Sequence, residues 1–172
     1  MTSSEHVVLI GMMASGKTTV GQAVAARLHR PFFDSDAMVE ARTGRTVREI
    51  FETDGEAAYR PLETDALVEA LTSPTPAVIA AAGGVVLAEA NRVAIETANA
   101  RVVWLRADPA LLAVRAITAD HRPLLGDDPE GNLRRLLEQR LPLYAEVADD
   151  VIDVDGRPVD DVVAAVLAAL ER

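Results

Sequence analysis

Short apolar runs alternate along the chain with stretches whose apolar residues recur at helical spacing. Val7-Val8-Leu9-Ile10 reads as a first buried strand, and Val20, Ala23, Val24 and Leu28 line one face of a helix over 17–28. Pro31-Phe32-Phe33 leads into Asp34 as a short second strand, and a helix over 37–42 stops at Gly44, a natural residue just past a helix end. Two capping boxes follow, Thr46-x-x-Glu49 and Thr53-x-x-Glu56. They frame a short helix carrying Val47, Ile50 and Phe51, then a longer one over 57–71 that either starts or kinks at Pro61.

Residues 77–82 form a further buried strand ending at Gly83-Gly84, 91–97 a helix, and 102–105 the next strand. A helix over 109–117 is capped by Asp108, and 119–131, rich in Pro, Gly and Asp, reads as a mobile loop. The chain closes with a helix over 133–141, a strand over 151–154 and a helix over 159–170 whose Val162, Val163, Val166 and Leu170 share one face. Strands alternating with helices predict an α/β fold with a parallel sheet, and with no repeat or interdomain linker it reads as one domain.

Between the first strand and first helix lies Gly11-Met-Met-Ala14-Ser15-Gly16-Lys17-Thr18, which fits G-x-x-x-x-G-K-[ST]. In such a loop, glycines let backbone N–H groups close around phosphates while the lysine reaches the β/γ oxygens as a compact ammonium. Thr18 supplies a hydroxyl suited to Mg²⁺, and Thr19 completes the phosphate-facing segment. Lys17 is the one lysine in the chain, so the other sixteen of its seventeen basic residues are arginine. The strand–loop–helix context makes the motif a nucleoside triphosphate site.

Composition narrows the picture. At 172 residues the chain can bury a proper core, supplied chiefly by Ala, Val and Leu, since only 3% of residues are aromatic. A net charge of −10 argues against a nucleic-acid surface, and no apolar run approaches a membrane span. The first residues lack the basic and apolar regions of a secretory signal, and no cysteine is present, which fits a cytoplasmic protein. An acidic protein that binds an anionic nucleotide must concentrate positive charge locally, which draws attention to arginines near loops. His6, His29 and His121 show no metal-ligand spacing; the first two read as surface residues, and His121 adjoins Arg122.

Four clusters beyond the loop carry further chemistry. Asp34-Ser35-Asp36 follows the second strand, at a carboxyl end where α/β sheets place ligands; it is also suited to capping the next helix. Gly55-Glu56-Ala-Ala-Tyr59-Arg60 offers a guanidinium able to bind a carboxylate through two parallel hydrogen bonds, with Glu63 one turn on. Ala82-Gly83-Gly84 permits close approach of backbone to a ligand. Arg122-Pro-Leu-Leu lies in the polar loop, Arg115 precedes it, and Arg140-Leu-Pro-Leu-Tyr144 follows. Read alone, Arg115, Arg140 and the pair Arg60/Glu63 also suit an ordinary helix surface, and Arg134 and Arg135 read as solvated.

Together these motifs resemble the shikimate kinases, in order and approximate spacing, over about residues 7–153. The resemblance implies a three-layer α/β/α P-loop NTPase fold with a mostly five-stranded parallel sheet, acceptor-binding helices over about 35–71 and a lid over about 119–131. It implies transfer of the γ-phosphoryl group of ATP, with Mg²⁺, to shikimate, giving shikimate 3-phosphate. Lys17, Asp36 and Arg122 would be catalytic, and Gly11, Ala14–Thr19, Arg115 and Arg122 would contact the nucleotide. Asp36, Phe51, Tyr59, Arg60, Gly83, Gly84 and Arg140 would hold the acceptor, and Thr18 and Asp34 would serve the metal. Tyr59 stands where the family pattern has phenylalanine, and Ala82 where it has glycine; a required positive φ at Ala82 would strain the loop. A kinase of another hydroxylated ring acid or cyclitol, or a catalytically silent nucleotide-binding regulator, are the alternatives. A monomer is the default expectation.

Overall fold

The computed structural model describes residues 4–118 and 126–172. Five strands form one parallel sheet: β1 (His6–Ile10), β2 (Phe32–Asp34), β3 (Val78–Ala80), β4 (Ala100–Arg106) and β5 (Asp150–Asp153), in the order β2-β3-β1-β4-β5. The central strand is buried throughout, with Val7, Val8, Leu9 and Ile10 each at most 1% exposed. Such a residue contributes roughly 1.5–3 kcal/mol on burial, which is why this run tolerates no polar alternation.

Around the sheet lie α1 (Lys17–Leu28), α2 (Ser35–Thr43), α3 (Val47–Thr53), α4 (Glu56–Leu71), α5 (Glu89–Thr97), α6 (Pro109–Thr118), α7 (Pro129–Val147) and α8 (Val159–Leu170). Helix α1 packs on α8 and against β3, whereas α5 and α7 pack on each other and on β4, which gives the expected helix–sheet–helix layers. A small second cluster of Val39, Ile50, Tyr59 and Ala66 joins α2, α3 and α4 outside the main core. The loop after β1 enters α1, and the loop after β3 runs through a 3₁₀ turn (Val85–Leu87) toward α5. The crevice between the carboxyl ends of β1 and β3 is therefore where connections leave for opposite faces, the place α/β sheets bind ligands.

Several expectations need correction. The second capping box does not form: α4 begins after Gly55 with no side-chain cap, and the Thr53 hydroxyl donates back to the Glu49 carbonyl at 2.7 Å. The first box, Thr46 with Glu49, is present. Helix α4 starts five residues before Pro61 and runs through it, and α7 extends beyond the expected 133–141 at both ends, with Pro142 inside. His6 is a strand residue 7% exposed, its Nδ1 accepting the Ala77 N–H at 3.1 Å; His29 is exposed as expected. Burial, reinforced by Arg30, holds the His6 imidazole below its usual pKa.

Candidate active site

The loop after β1 closes on itself in a form that only its sequence permits. Gly11 has φ 143°, and a Cβ there would lie 2.5 Å from the Leu105 carbonyl oxygen of β4. Ala14 holds φ 61°, a left-handed conformation uncommon outside glycine and typical of backbone over-determined by function. Gly16 caps α1 without a side-chain hydrogen bond, so the first turn directs its free N–H groups outward. The Ser15 hydroxyl oxygen is buried with no hydrogen-bond partner among the described residues. Lys17 Nζ donates to the Gly11 and Met12 carbonyls at 2.9 and 2.8 Å. Burial pushes its pKa down to about 8, against the pull of Asp36 and Asp34 and with a further push from Arg140.

Asp34 ends β2 and does two things at once. Its Oδ1 accepts from the Asp36 and Ala37 N–H groups at 3.0 and 3.2 Å, capping α2, while Oδ2 accepts the Thr18 hydroxyl at 2.6 Å. The capping reading and the chemical reading of this residue are thus compatible. With its hydroxyl hydrogen pointed at Asp34 in a hydrogen bond, Thr18 keeps lone pairs for a cation. An all-oxygen pair beside a phosphate loop suits Mg²⁺, which keeps several waters and needs only one or two protein ligands. No cluster of three metal-ligating side chains occurs among the described residues.

Asp36 sits in the first turn of α2, and burial raises its carboxyl pKa, as do Asp34 and Glu40; Tyr59 and Lys17 oppose the shift. The Tyr59 hydroxyl donates to Asp36 Oδ1. Burial raises the Tyr59 phenol well above its ordinary pKa, with Asp36 and Glu63 adding to the effect. The Tyr59 ring lies 4.7 Å from that of Phe51.

Arg60 is held by its own helix. Nη1 donates to the two Glu63 oxygens at 3.1 and 2.8 Å, while Nε donates to Glu56 Oε1 at 3.1 Å, which Nη2 also contacts. Glu63 is 1% exposed, and burial raises its carboxyl pKa against the opposing pull of Arg60. Gly84 makes this arrangement possible, since a Cβ there would lie 2.1 Å from Arg60 Nη1. Ala82 has no positive φ, and its N–H donates to the Ser35 hydroxyl at 2.9 Å, so alanine is unstrained there.

Arg140, 6% exposed, is no surface charge. Its Nη1 approaches Met12 Sδ at 4.0 Å, Nε has no partner among the described residues, and no carboxylate there pairs with it. Beside it, the buried Tyr144 hydroxyl donates to the Gly83 carbonyl; burial pushes that phenol up to about 12.

One cavity of about 720 Å³ joins these groups, from Ala14–Thr19 to Asp34, Asp36, Phe51, Tyr59, Arg60, Gly83, Gly84, Arg115 and Arg140. Gly11 does not line it; its carbonyl accepts from Lys17 instead. Arg115 reaches the Ala14 carbonyl loosely, at 3.5 Å. Arg122 lies outside the described residues, as do His121 and much of 119–131. Val154, Arg157 and Val159 line the same cavity and were missed from sequence. Their position after the last strand, at a carboxyl end, was the available signal.

The family profile described as shikimate kinase matches residues 13–171. The shikimate kinase of Burkholderia lata is 48% identical over 168 residues, 96% of this chain and 90% of that protein. That of Symbiobacterium thermophilum is 44% identical over 170 residues, 97% of each. Among solved structures, the shikimate kinase of Acinetobacter baumannii in complex with shikimate superposes with a TM-score of 0.93 at 36% identity, covering 99% of this chain and 94% of that one. With a phosphate loop, a facing carboxylate and two arginines on one cavity, and with that family profile and those relatives matching nearly its whole length, the chain belongs to the shikimate kinase family.

Proposed function

We propose that the chain transfers the γ-phosphoryl group of ATP to a ring hydroxyl of shikimate, using the residues that line the one cavity described above. The observation that carries this reading is the pairing of ends. A phosphate loop stands at one end, and at the other a half-buried carboxylate, Asp36, shares the wall with two arginines, Arg60 and Arg140. A hydroxylated acid matches that far end: its hydroxyl meets Asp36, and its carboxylate meets guanidinium groups able to form parallel hydrogen bonds.

The residues divide the work by position. The first turn of α1 and the loop N–H groups hold the phosphates. Lys17, now tied to two carbonyls, exchanges those bonds for phosphate oxygens and remains cationic at neutral pH, because its pKa of about 8 lies above it. Thr18 and Asp34 would hold Mg²⁺, which when bound neutralises charge on the phosphate oxygens. Asp36 accepts the proton of the acceptor hydroxyl as that oxygen bonds to phosphorus and the bond to the leaving ADP oxygen breaks. Phe51 and Tyr59 cover the apolar side of the ring and exclude water. Arg115 and Arg157 line the cavity with Val154 and Val159 and would border the nucleotide base. The unstrained backbone at Ala82 removes the sequence-level reason to prefer another ring acid.

ADP release measured with ATP and Mg²⁺, with and without shikimate, tests the reading. Strong shikimate-dependent release, lost in Lys17→Ala, is expected. ATP binding without any such release would overturn the acceptor assignment.

A further inference from the structure

The hydrogen bond from Tyr59 to Asp36 has no counterpart where this position is phenylalanine, the residue of the family pattern. Both ends of the bond are fixed. Tyr59 is 3% exposed, its ring set against Phe51 at 4.7 Å with the Arg60 guanidinium 5.6 Å from its centre. Asp36 is anchored through its own N–H to Asp34 Oδ1 at 3.0 Å. A buried hydroxyl needs a partner, and Asp36 Oδ1 is the one Tyr59 has. A phenol carries one donor hydrogen, and a carboxylate has two oxygens to offer. With phenylalanine at position 59, both Asp36 oxygens would be open to a ligand, an arrangement suited to hydroxyls on adjacent ring carbons. With tyrosine, one oxygen is engaged and the plane of the carboxylate is set from within the protein.

Resting on the shikimate reading above, we propose that Tyr59 is a positioning and specificity-determining residue that engages Asp36 Oδ1 and leaves Oδ2 to the hydroxyl being phosphorylated. The site thereby depends less on the neighbouring ring hydroxyl than it would with phenylalanine. The reacting hydroxyl meets a carboxylate oriented by Tyr59 rather than by a second contact with the acceptor. A protein that supplies this contact itself tolerates an acceptor lacking the neighbouring hydroxyl, because removing that group leaves no carboxylate oxygen unpaired.

The test compares the native chain with Tyr59→Phe, each assayed with shikimate and with an analogue deoxygenated at the ring carbon beside the reacting hydroxyl. In Tyr59→Phe, KM for shikimate should fall or hold while kcat falls several-fold, with KM for ATP unchanged. The ratio of kcat/KM for shikimate to that for the analogue should grow about tenfold or more over the native ratio. Tyr59→Leu, which removes ring and hydroxyl together, should raise KM for both acceptors and so separates the wall from the hydroxyl. Ratios equal within twofold in native and Tyr59→Phe proteins, with turnover intact, would overturn the proposal alone. No shikimate-dependent turnover by the native protein would overturn the acceptor reading and this proposal with it.

Discussion

The two ends of the cavity are made of different material. The nucleotide end is mostly backbone: a short loop whose Gly11 and Ala14 adopt positive φ, with one long side chain, Lys17, folded onto its own carbonyls. The acceptor end is mostly side chains, drawn from α2, α3, α4 and α7, and several of its groups are held by neighbouring side chains. Asp36 is held by Tyr59, Arg60 by Glu56 and Glu63, and the Gly83 carbonyl by Tyr144. A backbone cradle recognises phosphate by shape and fails as a unit. A network of side chains recognises one acceptor, and its members should fail separately, each in the kinetic constant it serves.

The largest effect is expected at Asp36, the group proposed to take the acceptor's proton. Asp36→Asn keeps the size and the Tyr59 contact but cannot take a proton, so kcat should fall by about 10²–10⁴. ATP affinity should stay within twofold of native, measured by calorimetry. A parallel loss of ATP affinity would mean that the two ends are not separable.

The difference in material also explains what the sequence disclosed. The phosphate loop is contiguous, its residue types are dictated by backbone geometry, and it was legible together with β1 and α1. The acceptor side was recognisable only through a resemblance, because Asp36, Tyr59, Arg60 and Arg140 come from three helices, and alone Asp36 suits a helix cap and the two arginines a helix surface. What sequence reasoning lost was lost to competing side-chain partners, some on the same helix and some across the fold. Glu56 was expected to cap α4 with Thr53, yet it serves Arg60 instead. His6 was expected on the surface, yet it is taken into the start of the central strand, where it accepts the Ala77 N–H. Arg140 was ambiguous until burial against Met12 placed it inside.

Two glycines sharpen the contrast at the next level. Gly11→Ala would drive a methyl into a β4 carbonyl at 2.5 Å while forcing a positive φ, so the phosphate cradle should be lost with nucleotide binding. Gly84→Ala would drive its methyl into Arg60, whose guanidinium must then leave Glu63. KM for shikimate should rise about tenfold, equivalent to one lost charge-assisted contact, with KM for ATP unchanged. Thermal unfolding separates the two: Tm should drop clearly for Gly11→Ala and little for Gly84→Ala. Equal effects on both substrates would dissolve the distinction.

The smallest effect has the most informative sign. Arg60 presents two edges, and both are occupied by carboxylates of its own helix. Glu63 is fixed and buried, whereas the Glu56 side chain is 59% exposed and free to swing away. In the proposed binding mode, an incoming shikimate carboxylate would meet Glu56 as a competitor for the Nε/Nη2 edge, while Glu63 keeps the guanidinium in place from the other side. Glu56→Gln retains the shape and weakens the competing charge, so KM for shikimate should fall by roughly two- to threefold, as suits an exposed pair, with kcat unchanged. The gain should shrink in high salt, where the native pair is already screened. A rise in KM would mean that Glu56 holds Arg60 ready rather than competing for it, and that both edges of the clamp are set by the protein before the acceptor arrives.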